Sequence, residues 1–295
     1  MATPIILAGA TGNLGGRIAR ALVGKGADVR ALVRRGTAPE RAENLRKVGV
    51  TVTEVDLGNV PEVAAACAGG TCVVSALTGH RDVIVDGQTA LLEAAVEAGV
   101  PRFIPSDFAL DFMKMPAGFN RNLDLRREFH ERLDKAPIAA TSILNGGFME
   151  LLSQAPIILF RFRRVLYWSD ADQLLDFTTI DNTAAFTAAA ALDPSTPRTL
   201  RIAGDQLSAK DLVALAGDTT GEKFKLLRGG SLARLETMIR VTRTLFPQEG
   251  QVYPAWQGMQ YLHNMFSGFA KLTPLDNDRY TDIRWTTARE MLSAR

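Results

Sequence analysis

Apolar residues in the first half of the chain gather in short runs, and segments with helical spacing separate these runs. The runs contain few polar residues, which is typical of parallel strands that helices cover on both faces. Six strands are predicted, at residues 5–8, 29–33, 50–55, 73–76, 102–105 and 140–144. Because short connections through helices return each strand in the same direction, this alternation predicts a parallel sheet.

Several helix boundaries can also be placed from the sequence. Thr37 and Asn59 are the predicted N-caps of two helices that each have a proline in the first turn. Side chains of this kind accept hydrogen bonds from the first backbone N–H groups of a helix. The rhythm of strands and helices changes after Asn145. Farther on, Asp181 is the predicted N-cap of a helix over residues 184–192.

Composition and charge narrow the classes of protein. Of the 295 residues, 46% are hydrophobic and 22% are charged, as in ordinary globular proteins. The 34 Lys and Arg residues nearly balance the 32 Asp and Glu residues, so the net charge is only +2 and we expect no nucleic-acid partner. The two cysteines, Cys67 and Cys72, and the three scattered histidines lack metal-ligand spacing, and we expect no metal.

Targeting segments are not predicted. No apolar run approaches the roughly 18 residues that span a bilayer. The first nine residues lack the basic and apolar regions of a signal peptide. We therefore expect a cytoplasmic protein with no membrane partner.

A glycine-rich loop is the strongest chemical signal in the chain. Gly9, Gly12 and Gly15 follow the first predicted strand and open the first helix. The first glycine of this spacing permits a tight turn, the second lets backbone approach a pyrophosphate, and the third packs helix against strand. The N-terminus of the helix then offers N–H groups to phosphate. We predict that this loop binds a dinucleotide, with Thr11, Asn13 and Leu14 as further contacts.

The end of the second strand predicts which nucleotide is preferred. NAD sites usually place a carboxylate there for the ribose 2′-hydroxyl, whereas this strand ends in Arg34 and Arg35. Two guanidinium groups suit a 2′-phosphate, so the predicted cofactor is NADP(H). The alternative is that both arginines are merely solvated.

Other contacts are expected where neighbouring strands end, because ligands bind at the carboxyl ends of parallel strands. Asp56 and Leu57 follow the third strand, near the expected adenine, although Asp56 suits an ordinary helix cap equally well. Ala76, Leu77 and Thr78 lie at the end of the fourth strand. The predicted fold is α/β: a Rossmann-type, doubly wound parallel sheet in residues 1–150. A smaller α/β substrate lobe in residues 151–295 can return strands to that sheet.

Five segments resemble the NmrA-like group of atypical short-chain dehydrogenases/reductases, which is related to isoflavone reductases. These segments are residues 9–15, 33–35, 102–108, 125–129 and 145–148. The segment Phe-Ile-Pro-Ser-Asp-Phe at residues 103–108 is the most specific of them. The resemblance implies an NADP(H) fold in which a small C-terminal lobe closes over a substrate cleft.

The resemblance also implies a set of residues near the nicotinamide. Segments like those around Pro105 and Gly146 border the nicotinamide in isoflavone-reductase-type enzymes. By that match, four side chains would face the reaction centre: Ser106, Asp107, Asn145 and Phe148.

The chain departs from the family at its acid/base residue. The family lysine before the Arg-Arg pair corresponds to Asn122, which cannot exchange a full proton. None of the four tyrosines starts a Tyr-x-x-x-Lys pair. The remaining proton sources are a bound water, or Asp107 if burial raises its pKa.

The sequence suggests three functions, which belong to different classes of protein. The first is NADPH-dependent reduction of a small apolar or aromatic carbonyl or unsaturated compound. The alternative is a non-catalytic NADP(H)-sensing regulator that acts through a protein partner, which the missing lysine would fit. The third is an epimerase or dehydratase of sugar nucleotides, a class that normally needs the missing tyrosine and lysine. The sequence leaves the substrate and the choice between monomer and dimer open.

Overall fold

The computed structural model describes residues 4–154 and 157–294. Its main sheet has six parallel strands in the order β3-β2-β1-β4-β5-β6. The strands are β1 Ile5–Ala8, β2 Val29–Arg34, β3 Thr51–Val55, β4 Cys72–Ser75, β5 Arg102–Ile104 and β6 Ala139–Ala140. The connecting helices are α1 Asn13–Gly24, α2 Pro39–Lys47, α3 Val60–Cys67, α4 Gln88–Glu97 and α5 Arg121–Leu133. A π-helical segment, Asp82–Gly87, leads into α4.

Both faces of the sheet are buried, as the apolar strands predict. In β1, Ile5 and Leu7 join a core with residues of α1, whereas Ile6 lies in a second core with residues of α3, α4 and α5. The alternation follows from the two-residue period of a strand, which sends successive side chains to opposite faces. The prediction of a doubly wound parallel sheet is therefore confirmed.

The second half of the chain adds small sheets and most of a third core, which includes Leu212, Leu235 and Phe266. Its strands are β7 Ser142–Leu144, β8 Gly147–Phe148, β9 Ile158–Leu159, β10 Arg164–Trp168, β11 Leu175–Thr178, β12 Thr199–Arg201, β13 Asp205–Leu207 and β14 Lys225–Gly230. They form the sheets β14-β10-β9, β13-β11-β8 and β12-β7. The helices are α6 Ile180–Leu192, α7 Ala209–Thr220, α8 Leu232–Leu245, α9 Ala255–Phe266 and α10 Ala288–Ser293.

One of the buried cores contains residues from both halves of the chain. Phe186 of α6 and Leu200 of β12 lie in the same buried cluster as Ile18 of α1. The division at residue 150 stays a prediction. The prediction that the chain has no signal peptide rests on its first nine residues. Of these, residues 1–3 lie outside the described residues. Within 4–154 and 157–294, no helix combines the length and apolar character of a membrane span.

Three local predictions are wrong. Residues 140–144 are not one strand, because the chain leaves the main sheet after Ala140 and β7 pairs with β12 instead. Ala38, not Thr37, occupies the N-cap of α2, and the Thr37 hydroxyl donates to the carbonyl oxygen of Arg34 over 2.6 Å. Thr179, not Asp181, caps α6, because its hydroxyl accepts from the backbone N–H of Asn182.

Candidate functional site

The glycine-rich loop follows β1 at the carboxyl edge of the main sheet. Gly9 has a φ of +83°, and a Cβ there would overlap the carbonyl oxygen of Ala76 at the end of β4. A Cβ on Gly15 would overlap the carbonyl oxygen of Gly9. These two glycines therefore let the loop pack against β4 and let α1 pack against the loop.

Gly12 occupies the N-cap of α1 and faces solvent. No side chain caps the helix there, and the Gly12 N–H donates to the Gly9 carbonyl oxygen over 3.0 Å. A Cβ on Gly12 would meet only that carbonyl oxygen, at 3.3 Å. Asn13 is exposed, and its side-chain oxygen accepts from Arg17, while Thr11 and Leu14 are half-buried. The first turn of α1 thus offers backbone N–H groups to an anion.

The two arginines after β2 differ in their partners. The Arg35 guanidinium pairs with Glu62 over 2.7 Å. Arg34 is exposed, and within the described part of the chain no acceptor lies in hydrogen-bond or ion-pair range of its guanidinium. Arg34 is therefore the cation that remains free to receive a phosphate.

The residues after β3 form a turn. One carboxylate oxygen of Asp56 accepts from the backbone N–H of Gly58 over 3.0 Å, and Leu57 packs on the second core. The next helix is capped by Asn59, as predicted, through the backbone N–H of Glu62. The suggestion that Asp56 caps this helix is therefore wrong, because its carboxylate holds the preceding turn.

Ser106 ties the end of β5 to the segment after β4. Its hydroxyl donates to the Leu77 carbonyl oxygen over 2.6 Å, and its backbone N–H donates to the side-chain oxygen of Gln88. The side chain of Ser106 is almost fully buried, as is its neighbour Pro105. These bonds hold Ala76, Leu77 and exposed Thr78 next to the glycine-rich loop.

Asp107 does not have the raised pKa that a general acid would need. Its carboxylate has no exposed surface and lies 2.7 Å from Nε2 of His130 on α5. Burial by itself would raise the pKa of this carboxyl, but His130, Ser142 and Arg126 outweigh burial and hold the pKa below its usual range. The expectation that Asp107 supplies a proton is therefore corrected: the residue is a buried ionised partner of His130.

Asn122 lies at the first turn of α5 and is buried. Its side-chain N–H group donates to the Val252 carbonyl oxygen over 3.0 Å, and its side-chain oxygen accepts from Arg121. Asn120 caps the helix by accepting from the backbone N–H groups of Asn122 and Leu123. The amide of Asn122 thus joins α5 to the segment before α9.

Sequence reasoning missed Tyr261, which comes from α9 to the same place. Burial raises the pKa of Tyr261 to about 12, and Tyr253 adds to this, whereas Arg126, Asn122 and Arg121 pull it down. The phenol therefore stays protonated at neutral pH beside the amide of Asn122. No spacing signal could have identified it, because α9 and α5 are joined only in the folded chain.

Arg126, one turn along α5 from Asn122, is buried and incompletely satisfied. One of its terminal nitrogens donates to the Asn122 carbonyl oxygen over 2.8 Å, while its Nε has no partner among residues 4–154 and 157–294. An unpaired buried N–H is costly, so this nitrogen is available to a ligand.

The segment after β7 is tied to the second half of the chain. Asn145 has no exposed surface, its side-chain N–H group lies 3.3 Å from the Thr183 hydroxyl, and its side-chain oxygen has no partner in the described residues. Gly146 has a φ of +69°, and a Cβ there would overlap the carbonyl oxygen of Asp176. Phe148 packs partly buried against the first core.

The structure brings most of the predicted residues to one edge of the main sheet. The residues after β1, β2, β3, β4 and β5 meet there because the strands are parallel. A cavity of about 680 Å³ lies at the opposite edge, lined by residues such as Lys25, Asp28, Thr71 and Arg102, and its lining includes none of the predicted cofactor or catalytic residues. In the described part of the chain, no group of three or more His, Cys, Asp or Glu side chains could hold a metal ion.

Several known proteins are similar to this chain over most of its length. The NmrA-like family matches residues 1–291. Pinoresinol reductase 1 of Arabidopsis thaliana is 28% identical over 260 residues, which are 80% of this chain and 81% of that protein. A phenylcoumaran benzylic ether reductase of Ginkgo biloba is 24% identical over 311 residues, covering 98% of this chain and 97% of the relative.

Solved structures show the same fold. An isoflavone reductase superposes with a TM-score of 0.84 at 21% identity, covering 100% of this chain and 99% of the other. The complex of leucoanthocyanidin reductase with NADPH from Vitis vinifera gives a TM-score of 0.80 at 17% identity, covering 99% and 98%. At these identities the likeness concerns the fold.

Proposed function

The chain belongs to the NmrA-like family, and on that premise we propose that it is an NADPH-dependent reductase. The proposed substrates are small apolar or aromatic carbonyl or unsaturated compounds. Relatives along most of the chain are named as a pinoresinol reductase and a phenylcoumaran benzylic ether reductase, which supports this reaction class. A location in the cytoplasm and the absence of a nucleic-acid partner stay predictions.

The observation that carries the proposal is the free guanidinium of Arg34 beside an uncapped, exposed glycine loop. A cradle that backbone N–H groups form at Gly12 suits a pyrophosphate, and the unpaired cation suits a 2′-phosphate. The residues present therefore fit NADP(H). The proposed contacts are Gly9, Thr11, Gly12, Asn13, Leu14, Gly15, Arg34, Arg35, Asp56, Leu57, Ala76, Leu77, Thr78, Pro105, Ser106, Asn145, Gly146 and Phe148.

When bound, the nicotinamide would supply a hydride. This chain must then orient the substrate and deliver one proton to the reduced product. We assign the proton to the hydroxyl of Tyr261, because a phenol is protonated at neutral pH and the nearby charge of Arg126 favours the phenolate that remains. Solvent water returns the proton to Tyr261.

The sequence predicts Ser106, Asp107 and Asn122 as the catalytic residues, and in this proposal all three are positioning residues. Asn122 positions Tyr261 and Arg121 through its amide. Ser106 positions the segment after β4, and Asp107 positions α5 through His130.

A non-catalytic NADP(H) sensor is the second candidate. One observation favours it: both ends of the Asn122 amide are occupied by the protein itself, so nothing at the family lysine position is free to exchange a proton. In this case nucleotide binding would change the affinity for a protein partner and no hydride would be transferred.

Two measurements on the purified chain, made one after the other, test the proposal. Calorimetric titration with NADPH, NADP⁺, NADH and NAD⁺ should give tight binding of the two phosphorylated forms only. A panel of aromatic ketones, enones and quinones is then screened for loss of NADPH absorbance. Binding without turnover across the panel would favour the sensor, and no binding of any nucleotide would overturn both candidates.

A further inference from the structure

Trp256, near the start of α9, lies among two arginines from different helices. The guanidinium carbon of Arg121 is 4.7 Å from the centre of the Trp256 ring, and that of Arg243 on α8 is 4.9 Å from it. Trp256 is buried, and its indole N–H donates to the Pro247 carbonyl oxygen over 2.9 Å. The ring is thereby fixed and holds the two cations near each other.

Hydrogen bonds fix Arg121 in place. It donates to the side-chain oxygen of Asn122 over 3.0 Å and to the carbonyl oxygens of Val252 and Gln251 over 2.6 and 3.3 Å. These acceptors are neutral, so the charge of Arg121 is not compensated by them. Arg243 is exposed, and its guanidinium lies over the ring of Trp256. Within residues 4–154 and 157–294 this guanidinium forms no hydrogen bond or ion pair.

The positive charges of Arg121 and Arg243 repel each other. Burial and the nearby charge of Arg243 lower the pKa of Arg121, which means that its charged form is destabilised at this place. Glu249 lies close by, but within the described residues its carboxylate forms no ion pair with either guanidinium. An anion placed between the two would relieve the repulsion.

A cavity is present at this pair. It measures about 400 Å³ and is lined by Arg121, Arg243, Thr244, Pro247, Glu249 and Trp256. That volume is within the range of small-molecule sites, which runs from roughly 300 to 1,000 Å³. Arginine forks bind oxyanions through paired N–H donors.

We propose that the cavity between Arg121 and Arg243 is a binding site for the phosphate or carboxylate group of a small molecule. The residues that line the site include none of the proposed nucleotide contacts, and the site does not depend on the proposed function. Arg121 also contacts Asn122, so an occupant would lie beside the first turn of α5.

The probes are inorganic phosphate and benzoate, titrated separately into the full chain at ionic strength held constant with sodium chloride. Calorimetry measures affinity, and Trp256 fluorescence reports on the cavity, because a bound anion changes how the guanidiniums lie on the ring. Saturable binding of at least one probe is expected. The preferred probe shows whether the natural group is a phosphate or a carboxylate.

The decisive variant is Arg243→Ala, which removes an exposed side chain and should leave the fold intact. Loss of a charged hydrogen-bond donor should weaken binding about tenfold or more. Arg240→Ala is the matched control, since it removes the same charge from the exposed surface of the same helix. It should change the affinity less than about twofold, because exposed charges act weakly on each other.

Trp256→Phe keeps an aromatic ring and should keep binding while abolishing the fluorescence change. The proposal is overturned if neither probe saturates, or if Arg243→Ala binds as tightly as the unmodified chain. A fluorescence change that persists in Trp256→Phe would also overturn it, because the anion would then lie elsewhere.

Discussion

The carboxylate of Asp107 and Nε2 of His130 lie 2.7 Å apart, and both side chains are buried. The other ring nitrogen of His130 lies 3.1 Å from the Arg198 guanidinium. Since an arginine only donates, that nitrogen accepts, and Nε2 donates its proton to Asp107. The bond joins the loop after β5 to α5, and so fixes the first turn of α5 relative to the sheet edge.

Breaking this pair should destabilise the fold. His130→Leu leaves the Asp107 carboxylate buried without its main partner, and removal of one member of a buried pair costs about 3 to 5 kcal/mol. Urea unfolding would measure the change. Glu43→Ala, which removes an exposed pair with Arg46, is the control and should change the free energy of unfolding by less than about 1 kcal/mol. Equal losses in the two variants would contradict the assignment.

The same pair predicts a dependence of stability on pH. The pKa of Asp107 is lower in the folded chain than its ordinary value of about 3.9, so ionisation stabilises the fold above that pH. This contribution is lost as the pH falls from about 4 through the lower folded value. Thermal unfolding between pH 7 and pH 2.5 should show a smaller acid loss in Asp107→Asn than in the unmodified chain. An unchanged acid slope would count against the pair.

The two arginines after β2 should differ in their effect on nucleotide binding. Arg34→Ala should weaken NADPH about tenfold or more and leave NADH nearly unchanged, because only the former carries the 2′-phosphate. Arg35→Ala is the matched control and should have the smaller effect, since Arg35 already pairs with Glu62. Calorimetry with both nucleotides measures this. Equal weakening of NADPH and NADH by Arg34→Ala would show that Arg34 does not hold the phosphate.

Two glycines of one loop should separate binding from folding. Gly12→Ala places its Cβ 3.3 Å from the Gly9 carbonyl oxygen and should reduce nucleotide affinity with little change in stability. Gly15→Ala drives a Cβ into the same oxygen and should lower stability by about 1 to 3 kcal/mol. Calorimetry and urea unfolding on both variants separate the two effects. A Gly12→Ala variant that binds NADPH normally would place the nucleotide elsewhere.

Tyr261→Phe tests the assigned proton source. It should lower the turnover number for NADPH oxidation about a hundredfold, the low end for loss of a general acid, while KM for NADPH stays within about twofold. Tyr253→Phe alters an exposed neighbour and should retain activity. Because the pKa of Tyr261 is about 12, the rate should not fall with its ionisation between pH 7 and 10. Full activity in Tyr261→Phe would leave a bound water as the donor.

The main sheet and the nucleotide loop could be read from local patterns. A strand buried on both faces must be apolar at nearly every position, and the glycines at 9, 12 and 15 report contacts only a few residues apart or with the adjacent strand. The family resemblance rested on segments of the same local kind, and it is confirmed along residues 1–291.

Tertiary contacts decided the properties that the sequence left open or predicted wrongly. Arg34 and Arg35 look alike in the chain, and only the position of Glu62 on α3 shows which of them is free. The pKa of Asp107 depends on His130, which comes from α5 and is 23 residues away in the chain. Tyr261 and Trp256 reach α5 through α9, more than 120 residues later. Charge, burial and proton affinity depend on such distant neighbours, because each is set by whatever packs around the group in space.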